Sequence, residues 1–222
     1  PTASGKSKIA IEIAKKIQGE IINADSMQVY KDFSILSSRP SKIDLKKINH
    51  HLYGFLPSKR YFSTGAWLSL AKKKVKLCLK KNKVPIFVGG TGLYFEAITK
   101  GMSKIPNIEI KKRNKIRELQ IKLGQKQFYK KLLTLDPLVK NKIEPSDTQR
   151  SIRAYEVKKF TKKSIFAWYK LTKSDFKDFM IFKIFLDTPR ETILKNISKR
   201  TKEMFKKNFI NEIKNFLKLK TD

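Results

Sequence analysis

Seven residues at the head of the chain, Pro1-Thr2-Ala3-Ser4-Gly5-Lys6-Ser7, carry the spacing of a phosphate-binding loop, G-x-x-x-x-G-K-[ST], entered just after its first glycine. Their types suit an anionic ligand. Backbone N–H groups of a tight glycine-containing turn (Thr2, Ala3, Ser4, Gly5) converge on phosphate oxygens, and a helix N-terminus lends its dipole. Lys6 adds a point charge, and the Ser7 hydroxyl can hold a Mg²⁺ that bridges those oxygens. The plain alternative is a serine/glycine turn before a helix. Against it, Ile9, Ala10, Ile13, Ala14 and Ile17 recur at helical spacing, so a buried helix is expected behind the loop. The pattern also calls for a strand ahead of Pro1, and the chain is expected to be a piece that lacks it.

Two further stretches could face the same ligand. Glu20-Ile21-Ile22-Asn23-Ala24 reads as a short buried strand running into Asp25-Ser26-Met27-Gln28. An acid at the C-terminal end of a parallel strand faces the crevice where such sheets bind ligands; Asp25 could equally cap the next turn. Val84 to Val88 reads as a second buried strand, followed by Gly89-Gly90-Thr91-Gly92 and a helix. Glycines placed there let backbone approach a ligand closely. Basic residues recur downstream. Arg150 and Arg153 share a helix face and form either a solvated surface or a phosphate clamp. Lys199 and Arg200 stand on a helix within reach of the crevice.

These residues must be positioned by an α/β fold: a phosphate-loop-type parallel sheet flanked by helices, with an all-helical insertion. Residues 34–62 read as loop, and the adjacent His50 and His51 as structural, because no Cys/His/Asp cluster lies at ligand spacing nearby. Ser63 or Thr64 caps a helix carrying Trp67, Leu70, Ala71, Val75, Cys78 and Leu79 on one face. Lysine-rich helices replace strands from 101 to 163, with Ile116, Leu119 and Leu123 on one and Phe128, Leu132 and Leu135 on another. A third strand is expected over Met180–Leu186. Thr188-Pro189-Arg190-Glu191 then combines a capping box with a proline start. The core is therefore assigned to 1–100 with 164–222, and the insertion to 101–163.

Of the 222 residues, 51 are Lys or Arg and 19 Asp or Glu, a net charge of +32 that attracts a polyanion. Part of that surplus is what an A+T-rich genome would produce. One cysteine excludes an internal disulfide and suits a reducing cytosol, so a cytoplasmic protein is expected. No apolar run approaches a membrane span; the best, Phe179 to Leu186, is short and carries Lys183.

Taken together, the segments resemble the tRNA dimethylallyltransferase (tRNA isopentenyltransferase) family. The resemblance rests on the loop at residues 1–7, Ala24-Asp25-Ser26-Met27-Gln28-Val29-Tyr30, Val88 to Phe95, Asp147-Thr148-Gln149-Arg150 with Arg153, and Arg200 followed by Met204. It implies an enzyme that transfers a dimethylallyl group from dimethylallyl diphosphate to N6 of the adenosine next to the anticodon of tRNA. By the same resemblance Asp25 is the general base, and Lys6, Arg200 and Thr91 act with it. Ser7 carries Mg²⁺, and the loop from Thr2 to Ser7 holds the diphosphate. The anticodon stem-loop is contacted by Asp25, Ser26, Met27, Gln28, Thr91, Arg113, Gln149, Arg150, Ser151, Ile152 and Arg153. A monomer, and a further C-terminal section beyond Asp222, are expected. Three departures stand out: Ser7 for threonine, Leu36-Ser37-Ser38-Arg39-Pro40 for the family's G-T-[AS]-K-P, and Thr148 for proline. The competing readings are a small-molecule kinase with Asp187 as second metal ligand, an enzyme prenylating free adenosine nucleotides, and a non-catalytic RNA-binding module.

Overall fold

The turn that begins the first helix depends on a glycine. Gly5 caps α1 (Lys6–Lys16) at φ 85°, ψ 9°, a left-handed conformation that costs an L-residue strain. The computed structural model describes residues 2–219; Pro1 of the loop motif and Lys220-Thr221-Asp222 of the basic end lie outside the described residues. Helix α1 buries Ala10, Ile11 and Ala14, whereas Ile9 and Ile17 are exposed. The apolar arc is thus narrower than the periodicity suggests, because only its centre meets the sheet. Gln18, at φ 53°, makes the turn out of the helix, and Gly19 already belongs to the next strand rather than closing the helix.

That strand, β1 (Gly19–Asn23), is buried at every position. It is the middle of a parallel three-stranded sheet ordered β2-β1-β3, with β2 at His50–His51 and β3 at Val84–Val88. Gly19 pairs with Val84 and Asn23 with Val88, so β1 and β3 end level with each other. Burial on both faces is why β1 shows no apolar/polar alternation, and it puts Glu20 and Asn23 out of water.

Residues 34–62 are not all loop. They include α2 (Lys42–Lys47) and β2. Ser41 and Asp44 close a reciprocal capping box at the start of α2. The helix buries no residue, which is why no apolar stripe announced it. Helix α3 (Thr64–Lys80) begins as expected, with the Ser63 hydroxyl accepting the Ala66 N–H at 3.2 Å. It buries Trp67, Leu68, Ala71, Val75 and Cys78, while Leu79 turns outward. Helix α4 (Gly92–Thr99) follows β3 directly after the glycine-rich turn.

The chain divides into two compact units. One takes in the residues up to Thr99 and those from Phe179 onward, the other Lys100–Asp178. The second is all-helical: α5 (Ile110–Leu135), broken at Gly124 (φ 69°, ψ 162°), a 3₁₀ turn at Pro137–Val139, α6 (Thr148–Thr161) and α7 (Ile165–Tyr169). Ile116, Phe128, Leu132, Val139, Ala154 and Val157 form its core. It runs past Lys163 because Ile165 joins that core, and Ser103 and Thr172 hydroxyls meet at 2.7 Å.

Two expectations fail after residue 179. Met180 to Leu186 is not a strand: it has no ladder partner among the described residues, and Met180 and Phe182 are each 83% exposed. Apolar, β-prone residues become a strand only where another strand offers its backbone. Helix α8 (Arg190–Lys206) starts one residue later than the Thr188 capping box requires. Pro189 is its N-cap, and no side-chain cap bond forms. Helix α9 (Phe209–Lys218) completes the described chain.

The junction of β1 and β3 yields a stability test. A Cβ on Gly89 would sit 2.1 Å from the Ala24 carbonyl, whereas one on Gly92 would meet nothing within 4 Å. Gly89→Ala should therefore cost at least about 1–3 kcal/mol in denaturant unfolding. Gly92→Ala, inside a helix, should be neutral or stabilising by up to about 1 kcal/mol.

Candidate active site

The ends of β1 and β3 are joined by hydrogen bonds that carry Asp25 into the crevice. Ala24 N–H donates to the Val88 carbonyl at 2.8 Å, and Thr91 N–H donates to the Ala24 carbonyl at 3.1 Å. The Thr91 hydroxyl oxygen accepts the Ser26 N–H at 2.9 Å and donates toward the Ser26 hydroxyl at 3.3 Å. Thr91 is thus the brace of the Asp25-Ser26 turn. One carboxylate oxygen of Asp25 accepts the Met27 N–H at 2.9 Å, so the capping role also holds. The other oxygen faces Gly90, 3.8 Å from where a Cβ would stand. Asp25 remains only partly buried.

Beneath this turn lies a residue that periodicity did not single out. Asn23 is completely buried. Its amide donates to the Asp25 carbonyl at 2.9 Å and the Leu52 carbonyl at 3.0 Å, and its side-chain oxygen accepts the Asp25 N–H at 2.9 Å. The Trp67 indole donates to the Asn23 carbonyl at 2.9 Å, and the same indole stacks on Tyr94 at 4.0 Å. The only signal in sequence was a polar amide at the end of an apolar strand.

The phosphate-type loop supplies the positive side of the site. Lys6 lies in the first turn of α1, and its ammonium feels Asp25 and Arg200. Burial, the largest effect, lowers its pKa; Asp25 opposes that and Arg200 adds to it, leaving the value below the ordinary one. The structure therefore brings Lys6, Asp25 and Arg200 together. From α8, one turn before Arg200, Asn196 donates to the Ala3 carbonyl of the loop at 3.0 Å. Ser7 stands exposed on the first turn of α1. Tyr53 and Tyr94 are held in their neutral forms first by burial; their pKa values are raised, with that of Tyr94 pushed up to about 12, and the charge of Asp25 adds to both.

Other expected contacts have structural roles. Met27 is exposed, but the Gln28 amide donates to the Ser37 and Ser38 carbonyls at 2.8 and 3.1 Å, steadying the loop before Arg39. Glu212 of α9 holds the same loop. Its carboxylate accepts the N–H groups of Ser34, Ile35 and Leu36 and the Ser34 hydroxyl. Burial alone would raise the pKa of Glu212, but these donors outweigh it and leave it lowered.

Within the helical unit, Arg113 and Arg153 both reach the buried carboxylate of Glu156, each at 3.3 Å. Arg150 pairs with Asp147 at 3.0 Å and stays 76% exposed. Arg150, Arg153, Lys142 and Tyr169 line one small cleft. Gln149 is exposed beside them. Ser151 is not on this surface: it is completely buried, and its hydroxyl accepts from the Gln125 amide at 3.3 Å. Ile152 likewise packs on the helical core. Residues 151 and 152 follow Arg150 round the helix onto its inner face, which is why sequence adjacency misplaced them.

A glycine-turned loop feeding a helix, a parallel sheet and a lysine–carboxylate–arginine group at the strand ends define an α/β protein of phosphate-loop type. The IPP transferase family profile matches residues 28–222. The chain is 56% identical over 220 residues to the tRNA dimethylallyltransferase of Pelagibacter ubique, covering 99% of this chain and 70% of that one. It is 45% identical to the enzyme of the same name from Rickettsia canadensis, covering 96% of this chain and 66% of that one. A eukaryotic dimethylallyltransferase solved acting on tRNA superimposes with a TM-score of 0.82 at 25% identity, covering 98% of this chain and 54% of that one. The chain belongs to the IPP transferase family.

Asn23 offers a direct test of how the site is held. Asn23→Ala removes a buried amide and strands its partners, so it should cost roughly 2–4 kcal/mol of stability in denaturant unfolding. A loss below about 0.5 kcal/mol would mean the hydrogen bonds contribute little.

Proposed function

We propose that this chain transfers a dimethylallyl group from dimethylallyl diphosphate to N6 of the adenosine on the 3′ side of the anticodon in tRNA, releasing diphosphate. The observation that carries the reading is the meeting of Lys6, Asp25 and Arg200 at the sheet's C-terminal end. The N6 lone pair attacks the allylic carbon, the C–O bond to the diphosphate breaks, and the N6 proton passes to Asp25. Lys6 and Arg200 neutralise the charge growing on the departing diphosphate. The loop N–H groups from Thr2 to Ser7 hold it, and Asn196 keeps that loop against α8. Thr91 and the Asp25 to Gln28 turn form the purine side of the site, with Thr91 and Gln28 acting through the backbone they brace.

The exposed Ser7 hydroxyl on the first turn of α1 is a hard oxygen donor that would hold a Mg²⁺ there. When bound there, it would supply further charge neutralisation to the diphosphate.

The adenosine must leave the anticodon-loop stack, at a cost of a few kcal/mol. Arg150 and Gln149 in the basic helical unit are the residues best placed on its surface to hold RNA phosphates, which position without reading sequence. Arg113 and Arg153 support that surface by pairing with Glu156. Cytoplasmic location and a monomeric state complete the reading. A kinase would require a second acid at a strand end. Asp187, the candidate, sits exposed in the unpaired 180–189 stretch.

Mass spectrometry of tRNA incubated with this chain and dimethylallyl diphosphate, without ATP, should show the added prenyl mass. Strict ATP dependence would favour the kinase. Asp25→Asn should lower turnover by roughly 10²–10⁴-fold with tRNA affinity nearly unchanged. Equal losses in both would assign Asp25 to folding or binding. Arg150→Ala should reduce the log–log salt slope of tRNA binding by about one unit. An unchanged slope would make it a solvated residue.

A further inference from the structure

At the opposite end of β1 from Asp25, three elements place one potential metal ligand each at a single point. Glu20 stands five residues before Asp25, roughly 16 Å back along the strand. Its Oε2 lies 2.6 Å from Nε2 of His51 on β2 and 3.5 Å from Sγ of Cys78 on α3. Taken one atom per residue, these donors all fall within 4.8 Å of one another. Glu20 is 3% exposed and Cys78 completely buried. No other such group occurs among the described residues.

We propose that Glu20, His51 and Cys78 form a binding site for a borderline-soft divalent cation of the zinc type, separate from the catalytic crevice. The donor set selects the metal. A thiolate and an imidazole exclude Mg²⁺ and Ca²⁺ and suit Zn²⁺ or Co²⁺. Charge also fits: a dication with one carboxylate, one thiolate and a neutral imidazole is neutral overall, so its burial avoids the penalty of an isolated ion. A tetrahedral zinc holds its ligand atoms roughly 3.3–3.6 Å apart, from bond lengths of about 2.0–2.3 Å. The Glu20–His51 pair must open by under about 1 Å to admit it, and the Glu20–Cys78 pair already has that spacing. Asn49, whose amide donates to the other Glu20 oxygen at 2.9 Å, orients the carboxylate as an outer partner. Glu20 and Asn49 also line a groove of about 410 Å³, which His51 and Cys78 do not reach.

Without metal the three groups satisfy one another: the imidazole and the thiol both donate to Glu20. Burial, acting alone, would raise the pKa of Glu20; the donors from Asn49, His51 and Cys78 outweigh it and hold the value at about 2. Burial and the Glu20 charge push the Cys78 thiol up to about 11. Binding exchanges the thiol proton for a metal–sulfur bond and releases that proton to solvent.

Because Cys78 is the chain's single cysteine, a thiolate-to-metal charge-transfer band can arise nowhere else. Titrating the purified, reduced chain with Co²⁺ should produce that band in the near ultraviolet, saturating at one ion per chain, with a rise in Tm. Cys78→Ser should abolish the band and weaken Co²⁺ binding by more than about 100-fold, beyond the loss typical of an outer-partner change. Its metal-free Tm reports whether the variant folds. Absence of the band in the wild-type chain, or Co²⁺ binding that leaves the thiol protonated, would overturn the proposal whatever the variant does.

Discussion

The end of the sheet that carries Asp25 depends on how closely two backbones approach. Gly89 leaves no side chain between the end of β3 and the Ala24 carbonyl, and that vacancy lets the ladder continue beyond β1. Thr91 then reaches the Ser26 N–H, and Asn23 clamps Asp25 from beneath. A carboxylate at a strand end would otherwise sample several rotamers. Here, one of its oxygens accepts the Met27 N–H, so the carboxylate is oriented by its own turn, as the base proposed for it would require.

Charge at that end is balanced unevenly. Two cations face one carboxylate, and the burial of Lys6 lowers its pKa despite Asp25. The group is therefore short of negative charge, a deficit that a diphosphate would fill. The net +32 of the chain adds a long-range attraction for RNA. The helical unit uses basic residues differently. Two of its arginines are drawn inward by Glu156, a carboxylate 1% exposed that requires partners. Arg150, whose partner Asp147 is not buried, keeps its side chain 76% exposed.

Much of the fold was legible. The phosphate-type loop, β1, β3, α3 with its Ser63 cap and the helices between 101 and 163 all follow from local pattern. Two readings failed for one reason: the deciding partner lay far away in sequence. Met180–Leu186 has the composition of a strand but no neighbour to pair with. Ser151 sits next to Arg150 in the chain yet on the other side of its helix, against Gln125. The structural reading of His51 stands in its bond to Glu20, but the cluster with Glu20 and Cys78 had no local signal, since they are 31 and 27 positions distant.

By itself, then, the sequence determined the kinds of chemistry available: a glycine turn that cradles phosphate, an acid at a strand end, a basic helical surface. These rest on local backbone preference and periodicity, which short stretches encode fully. The tertiary structure decided which side chains were already committed. It turned Arg113 and Arg153 onto Glu156, gave Asn23 the task of holding the backbone of Asp25, and gathered Glu20, His51 and Cys78 at one point. Such assignments depend on buried groups finding partners across the fold, because an unsatisfied buried charge or amide costs more than any local preference supplies.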